Sequence, residues 1–174
     1  LTDRVVIVNG VSKTYAMTGW RLGYAVGPKH LVDAMENIQS QSTSNPTSFV
    51  QKAAVEAILG DQTCVTDMCR VFEHRRNILV EGLNRLPGVT CRMPDGAFYA
   101  FPNVEGLFGK KTPEGNVLAH SMDVTAYLLD AARVAVVPGE PFGADPNIRL
   151  SYATSEDHIL EGLSRMDTAI RRLT

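Results

Sequence analysis

One stretch decides how this chain is interpreted: residues 9–28, NGVSKTYAMTGWRLGYAVGP. It opens on Asn-Gly and closes on Gly-Pro, both of which are turn signals. Between them, a polar loop separates two apolar segments that are predicted to be short buried strands. The loop contains Lys13 and, eight residues later, Arg21 beside the only tryptophan. Two cations are therefore placed in one connection between two strands.

Two interpretations fit Lys13 and Arg21. On spacing alone, a lysine and an arginine in a loop are ordinary solvated surface charges. The alternative is chemical, because a nucleophilic lysine must be partly uncharged and needs a dry pocket or a neighbouring cation. An arginine folded back into the same pocket supplies that cation, and its guanidinium also matches the oxygens of a phosphate dianion.

A further arginine stands in a predicted core strand. Residues 148–152, Ile-Arg-Leu-Ser-Tyr, alternate in character as a half-buried strand does. A charge in such a strand is costly unless it is paired. Arg149 therefore either has a buried acidic partner or faces a cleft and binds a carboxylate ligand, and composition leaves both open.

The rest of the chain alternates predicted helices and strands, which favours an α/β layered fold. The predicted helices have apolar residues at helical spacing: 29–41, 49–58, 65–86, 123–132 and a last helix after Ser155. The predicted strands are short and apolar or alternating: 4–8, 22–27, 89–92, 97–102, 134–137 and 148–153. The longest helix would span roughly 35 Å and indicates two lobes joined by a helix.

Composition excludes several classes of protein. The net charge of −2 over 174 residues gives no electrostatic reason to expect nucleic acid or an anionic membrane as partner. No apolar run approaches the ~18 residues that span a bilayer. The three cysteines lack the spacing of a metal site, so we expect no metal, and free thiols in the cytoplasm. Because the chain starts in an apolar run without Met, we also expect it to be a fragment.

Four segments, in order and at similar spacing, resemble those of the class I aminotransferases. This is the aspartate aminotransferase family of fold type I pyridoxal-phosphate enzymes. The segments are residues 9–28, GAFYAFPN (96–103), VAVVPGEPFG (134–143) and IRLSYATS (148–155). The sequence looks most like the bacterial-type branch, which includes aspartate, aromatic and prephenate aminotransferases, and it resembles the C-terminal half only.

The resemblance implies roles for particular residues. Lys13 matches the lysine that forms a Schiff base with the cofactor, pyridoxal 5'-phosphate, and later moves the proton at the substrate Cα. Arg21 matches the arginine that binds the cofactor phosphate, and Arg149 matches the arginine that binds the substrate α-carboxylate. Some family members carry a phosphate-binding serine where this chain has Gly10. Ser12 is therefore assigned a polar contact with the cofactor instead.

Four aromatic residues near these motifs are expected to be structural. Tyr15 and Trp20 are predicted to pack rather than to take part in catalysis. Phe98 and Tyr99 would lie on the substrate side by resemblance, although an aromatic residue in a strand belongs to the core by default.

The resemblance also implies an architecture and partners. Residues 1–60 would end the large cofactor-binding domain, with its mixed sheet and helices. Residues 61–86 would form the long linking helix, and 87–174 the small α+β C-terminal domain. The protein would be a homodimer that acts on an amino acid, aspartate-like or aromatic, and a 2-oxo acid. Because other cofactor-binding parts of the family lie outside the resemblance, we expect the isolated chain to be inactive.

Three other functions are compatible with these motifs. A lyase of the same fold would use the same lysine and differ only in which Cα bond is broken. Some transcription regulators carry an aminotransferase-like effector-binding domain, which a winged-helix segment upstream would reveal. A folded remnant that serves only as an interaction domain would bind no cofactor.

Overall fold

The computed structural model describes residues 2–174, with side chains described from residue 3 onward. These residues form two compact units, which divide between Cys69 and Arg70. Each unit has its own cluster of buried apolar residues. The division falls inside the longest helix, and the predicted domain limits at 60/61 and 86/87 stay predictions.

The described residues combine helices with short antiparallel strands, in agreement with the predicted α/β class. The helices are α1 (Lys29–Ser42), α2 (Ser48–Leu59), α3 (Thr63–Leu83), α4 (Ser121–Ala132) and α5 (Glu156–Ile170). The strands are β1 (Ile7–Gly10), β2 (Gly23–Val26), β3 (Tyr99–Ala100), β4 (Val137–Pro138) and β5 (Ile148–Ser151). Short 3-10 turns lie at Thr2–Arg4, Thr18–Trp20, Glu105–Leu107 and Glu140–Phe142.

The first unit is built on the antiparallel pair β1 and β2. In this pair Gly10 lies opposite Gly23. Directly after β1 and directly before β2, Val11 and Leu22 are buried against two residues of α2, Val50 and Ala54. This small core fixes both ends of the loop that carries the two predicted cations.

The second unit is built around a three-stranded antiparallel sheet in the order β3, β5, β4. The alternation of β5 is as the sequence predicts: Ile148 and Leu150 are buried in the core, while Arg149 is half-buried and Ser151 exposed. The core also contains buried residues of α4 and α5, among them Leu128 and Met166. The central strand thus holds Arg149 on the face opposite the core.

The start of α5 is confirmed. The Ser155 Oγ accepts a hydrogen bond from the backbone N–H of His158 at 3.3 Å, which satisfies one of the donors at the helix start. Two acids, Glu156 and Asp157, occupy the first turn, where they interact favourably with the helix dipole.

In the polar segment 40–48, the sequence favours Ser44 or Asn45 as the cap of α2 with Pro46 in its first turn, and this prediction is wrong. Neither Ser44 nor Asn45 caps this helix, which begins at Ser48 after Thr47. The reason is local: Ser44 has a φ of +60°, so the chain turns sharply after α1 and is not yet helical. Pro46 then precedes the helix instead of lying in its first turn, and its carbonyl accepts a hydrogen bond from the Gln51 side chain at 2.7 Å.

The predicted strand at residues 89–92 is reduced to a single bridge between Thr90 and Asn103. Next to it, the Cys91 backbone N–H donates to the Asn84 Oδ1 at 2.7 Å, and the Cys91 carbonyl accepts from Asn84 Nδ2 at 2.9 Å. The Asn84 side chain thus forms the hydrogen bonds with the Cys91 backbone that a neighbouring strand would otherwise form. All three cysteines are free thiols, as predicted. Burial raises the pKa of the Cys91 thiol.

Candidate functional sites

The loop between β1 and β2 presents Lys13 on a well-anchored turn. Val11 is fully buried, and Tyr15 and Met17 pack against the same core. The Tyr15 hydroxyl also donates to the Gln62 Oε1 at 3.1 Å. Tyr15 therefore packs, as predicted, and it holds the turn on which Lys13 lies.

Arg21 ends this loop in a strained conformation. Its φ of 53° and ψ of 51° place it in the left-handed region, which residues other than glycine and asparagine seldom adopt. Its Nη1 donates to the Thr18 carbonyl at 3.1 Å, so the side chain folds back over the preceding 3-10 turn. Trp20 in that turn is 51 % exposed, contrary to the packing role we expected, because the turn lies outside the small core.

One cavity of about 420 Å³ unites the predicted cofactor residues. It is lined by Asn9, Gly10, Ser12, Lys13, Thr14, Arg21, Leu22 and Gly23. This lining contains two cations, two hydroxyls and an amide, but no carboxylate. Gly10 and Gly23, which pair across β1 and β2, also line the cavity and add no side chain to it.

The surroundings of Lys13 differ from the dry pocket that a nucleophilic lysine was predicted to need. Lys13 is exposed, and Ser12 is only partly buried. The cause is the size of the core beneath the loop, which has four buried residues and supports the loop without enclosing it. The Lys13 amine and the Arg21 guanidinium nevertheless line the same cavity.

Arg149 lies between aromatic rings. Its Cζ is 4.5 Å from the centre of the Tyr99 ring and 4.9 Å from that of the Phe142 ring. Within residues 3–174 the guanidinium forms no ion pair and donates no hydrogen bond. The alternative of a buried acidic partner is therefore excluded in the described chain, and the ring faces provide the favourable contact that offsets burial of the charge.

Sequence reasoning missed Phe142 and placed Tyr99 in the core by default. Tyr99 is in fact 37 % exposed. The strand register in the structure explains the contact: Tyr99 lies opposite Ser151, two residues from Arg149, so the two side chains share a face. Phe142 lies within the segment 134–143 that carried the family resemblance, but its approach to Arg149 depends on a turn whose path the sequence does not reveal.

Neither a metal centre nor a membrane span is found in the part of the chain that the structure describes. No group of three or more His, Cys, Asp or Glu side chains there could hold a metal ion. No helix there combines the length and apolar character needed to cross a membrane.

The sequence profile of the family described as "Aminotransferase class I and II" matches residues 2–166. The chain belongs to this family. Among curated relatives, the aspartate aminotransferase of Rhizobium meliloti (strain 1021) is 49 % identical over the whole chain. The probable aspartate/prephenate aminotransferase of Rhizobium leguminosarum bv. phaseoli is 49 % identical over 95 % of the chain. In both cases the match covers 42 % of the relative, so the chain spans well under half the length of these proteins.

Solved aminotransferase structures show the same fold. The crystal structure of the aspartate aminotransferase from Rhizobium meliloti superposes with a TM-score of 0.97 at 49 % identity, over all of this chain and 44 % of that one. The aromatic aminotransferase from Pyrococcus horikoshii OT3 gives 0.86 at 35 % identity, over 98 % of this chain and 44 % of that one. The predicted resemblance and the predicted fold type I architecture are thereby confirmed.

Proposed function

We propose that this chain provides the lysine and the two anion-binding arginines of a pyridoxal-phosphate-dependent aminotransferase. Such an enzyme transfers the amino group of an amino acid to a 2-oxo acid. One observation carries the proposal: in a chain of this family, Lys13, Arg21 and Ser12 line one cavity. A lysine and an arginine that were merely solvated charges would not need a shared cavity.

The cavity lining fits a phosphorylated aldehyde. The Arg21 guanidinium can form paired hydrogen bonds to phosphate oxygens, and the hydroxyl of Ser12 adds a further donor beside Lys13. Pyridoxal phosphate, when bound, supplies an aldehyde that captures amines and a pyridine ring that withdraws electrons from the substrate Cα.

Two further steps belong to this chain's own residues. The Lys13 Nζ would accept the proton that leaves the substrate Cα, as a general base, and would then donate it to the former aldehyde carbon, as a general acid. The Arg149 guanidinium binds the substrate α-carboxylate through its N–H donors and so fixes the direction of the Cα–H bond.

The proposal extends to the substrates and the assembly of the enzyme. The names of the relatives include aspartate and prephenate aminotransferases, and we propose an aspartate-like or aromatic amino acid as donor and a 2-oxo acid as acceptor. We also propose a homodimer. It is supported by large apolar side chains that are more than 70 % exposed in the first unit: Val8, Ile38, Phe49 and Leu59. The free thiols fit a cytoplasmic protein.

Cofactor capture tests this proposal directly. The purified chain is mixed with pyridoxal phosphate, its visible absorption is recorded, and borohydride reduction followed by peptide mass spectrometry locates the modified lysine. We expect modification of Lys13 and its loss in Lys13→Ala. Lys29→Ala is the matched control, because Lys29 is an exposed lysine whose Nζ lies 2.7 Å from Asp33 on the same helix.

The phosphate contact is tested with Arg21→Leu. Loss of a charge-assisted contact should weaken the apparent affinity for pyridoxal phosphate about 10- to 100-fold. Equal labelling of all exposed lysines, or capture that survives in Lys13→Ala, would contradict the proposal. Turnover of aspartate with 2-oxoglutarate is measured separately, because cofactor capture requires fewer groups than catalysis.

A further inference from the structure

The two rings beside Arg149 come from opposite sides of its strand. Tyr99 belongs to β3, and Phe142 ends the 3-10 turn that follows β4. In the sheet order β3, β5, β4, the strand β5 that carries Arg149 lies between them. The guanidinium is thus contacted by one neighbour on each side of β5.

Each ring is itself supported by another aromatic side chain. The Phe98 and Tyr99 rings have centroids 4.5 Å apart with a tilt of 49°. The Phe101 and Phe142 rings meet edge to face, with centroids 6.1 Å apart at 90°. Tilted and edge-to-face contacts are the favourable geometries of aromatic pairs. Two partly exposed rings are therefore held in place on the surface where Arg149 lies.

Contacts with rings leave Arg149 chemically different from an arginine in an ion pair. A carboxylate partner would occupy two of the five N–H donors of the guanidinium. A ring attracts the cation through its π face and uses none of those donors. In the described chain no N–H of the Arg149 side chain donates to another residue. The position of the charge is restrained while its donors stay available.

We infer that Tyr99 and Phe142 are positioning residues that hold the Arg149 guanidinium ready for a carboxylate ligand. The inference rests on the proposed function, in which Arg149 binds the substrate α-carboxylate. A carboxylate accepts two parallel hydrogen bonds from a guanidinium, and this geometry requires the guanidinium to have a fixed orientation. Tyr99 and Phe142 supply the orientation, and Arg149 supplies the donors.

Nuclear magnetic resonance of the whole chain tests this inference without the cofactor. Protons on the Arg149 side chain should resonate upfield, because aromatic ring faces shield neighbouring nuclei. Tyr99→Leu and Phe142→Leu should each remove part of that shift. Tyr99→Phe and Phe142→Tyr keep the rings and should retain it. Circular dichroism of the leucine variants shows separately whether they are folded.

Titration with propionate, a simple monocarboxylate, then measures the consequence for binding. From the strength of cation–π contacts, each leucine variant should weaken propionate binding about 3- to 10-fold, and each conservative variant should bind like the wild type. Arg149→Leu serves as the reference for complete loss of the site.

The outcomes separate this inference from the proposed function. Propionate binding that is unchanged in both leucine variants but lost in Arg149→Leu would overturn the positioning role and leave the carboxylate role of Arg149 standing. Binding that survives in Arg149→Leu, or its absence from the wild type, would overturn both. Absence of the upfield shift in the wild type would overturn the inference alone.

Discussion

We expect that replacing Gly139 lowers stability because of steric contacts and not because of its backbone angles. It stands between β4 and the 3-10 turn that ends at Phe142, and its φ of −82° is open to any residue. A Cβ at this position, however, would lie 2.2 Å from the Ala144 carbonyl oxygen and 2.3 Å from the Asn147 carbonyl oxygen. We therefore predict that Gly139→Ala destabilises the segment that leads into β5.

The size of the effect follows from what surrounds the new methyl group. To reach the 3.4 Å at which ordinary contact begins, both carbonyls would have to retreat by about 1 Å. They are backbone atoms, and the Ala144 carbonyl already accepts from the Asn147 N–H at 2.9 Å. Overpacking and one weakened hydrogen bond together should lower the free energy of unfolding by about 2–4 kcal/mol.

Urea unfolding followed by circular dichroism measures the stability of this variant. Because the chain has two units, amide hydrogen exchange of residues 148–151 provides a local second measurement. Gly96→Ala is the matched control: no atom lies within 4 Å of its added Cβ, and its φ is not positive, so the change should stay within about 0.5 kcal/mol. Equal stability of the two variants would refute the steric argument.

Two further predictions concern the second unit. Gly162→Ala should raise the free energy of unfolding by about 0.5–1 kcal/mol, because this glycine lies inside α5. The nearest atom to an added Cβ is a Val134 methyl at 3.9 Å, so the new methyl group has room. Lower stability of the variant in urea would contradict this prediction. Hydrogen bonds from the Ser121 hydroxyl and N–H hold the pKa of Asp145 below its ordinary value of 3.8. The stability that these hydrogen bonds contribute is present above pH 3.8 and is lost as the pH falls through the lowered pKa. In Asp145→Asn, the free energy of unfolding should therefore fall less steeply with acid over this pH range. An unchanged slope would count against the prediction.

Features that depend on neighbouring residues could be predicted from the sequence. Pro28 and Ser155 mark helix starts because a fixed φ and a capping hydroxyl act within one turn, and α1 and α5 begin beside them. Lys13 and Arg21 could be assigned to one cavity because a single loop between paired strands carries both.

Features that depend on distant residues could not. The strand expected at residues 89–92 is replaced by hydrogen bonds to Asn84, a side chain whose partner no local pattern identifies. The surroundings of Arg149 depend on the pairing of β3 with β5, whose residues are about fifty positions apart in the chain. The alternation along β5 predicts which of its side chains are buried, but it does not predict which aromatic rings from neighbouring segments contact Arg149.

The arginines of this chain differ in how their charge is satisfied, and the difference bears on function. Among the described residues, several arginines form ion pairs with an acid three or four residues earlier in the chain, including Arg76, Arg85, Arg133, Arg165 and Arg171. Exposed pairs of this kind contribute little to stability, and the carboxylate occupies the donors that a ligand would need. Arg21 is held instead by the Thr18 carbonyl, and Arg149 by two ring faces. Neither has a carboxylate partner in the described chain. Both side chains are restrained by contacts that leave the positive charge uncompensated, which is the condition for binding an anionic group that arrives from solution.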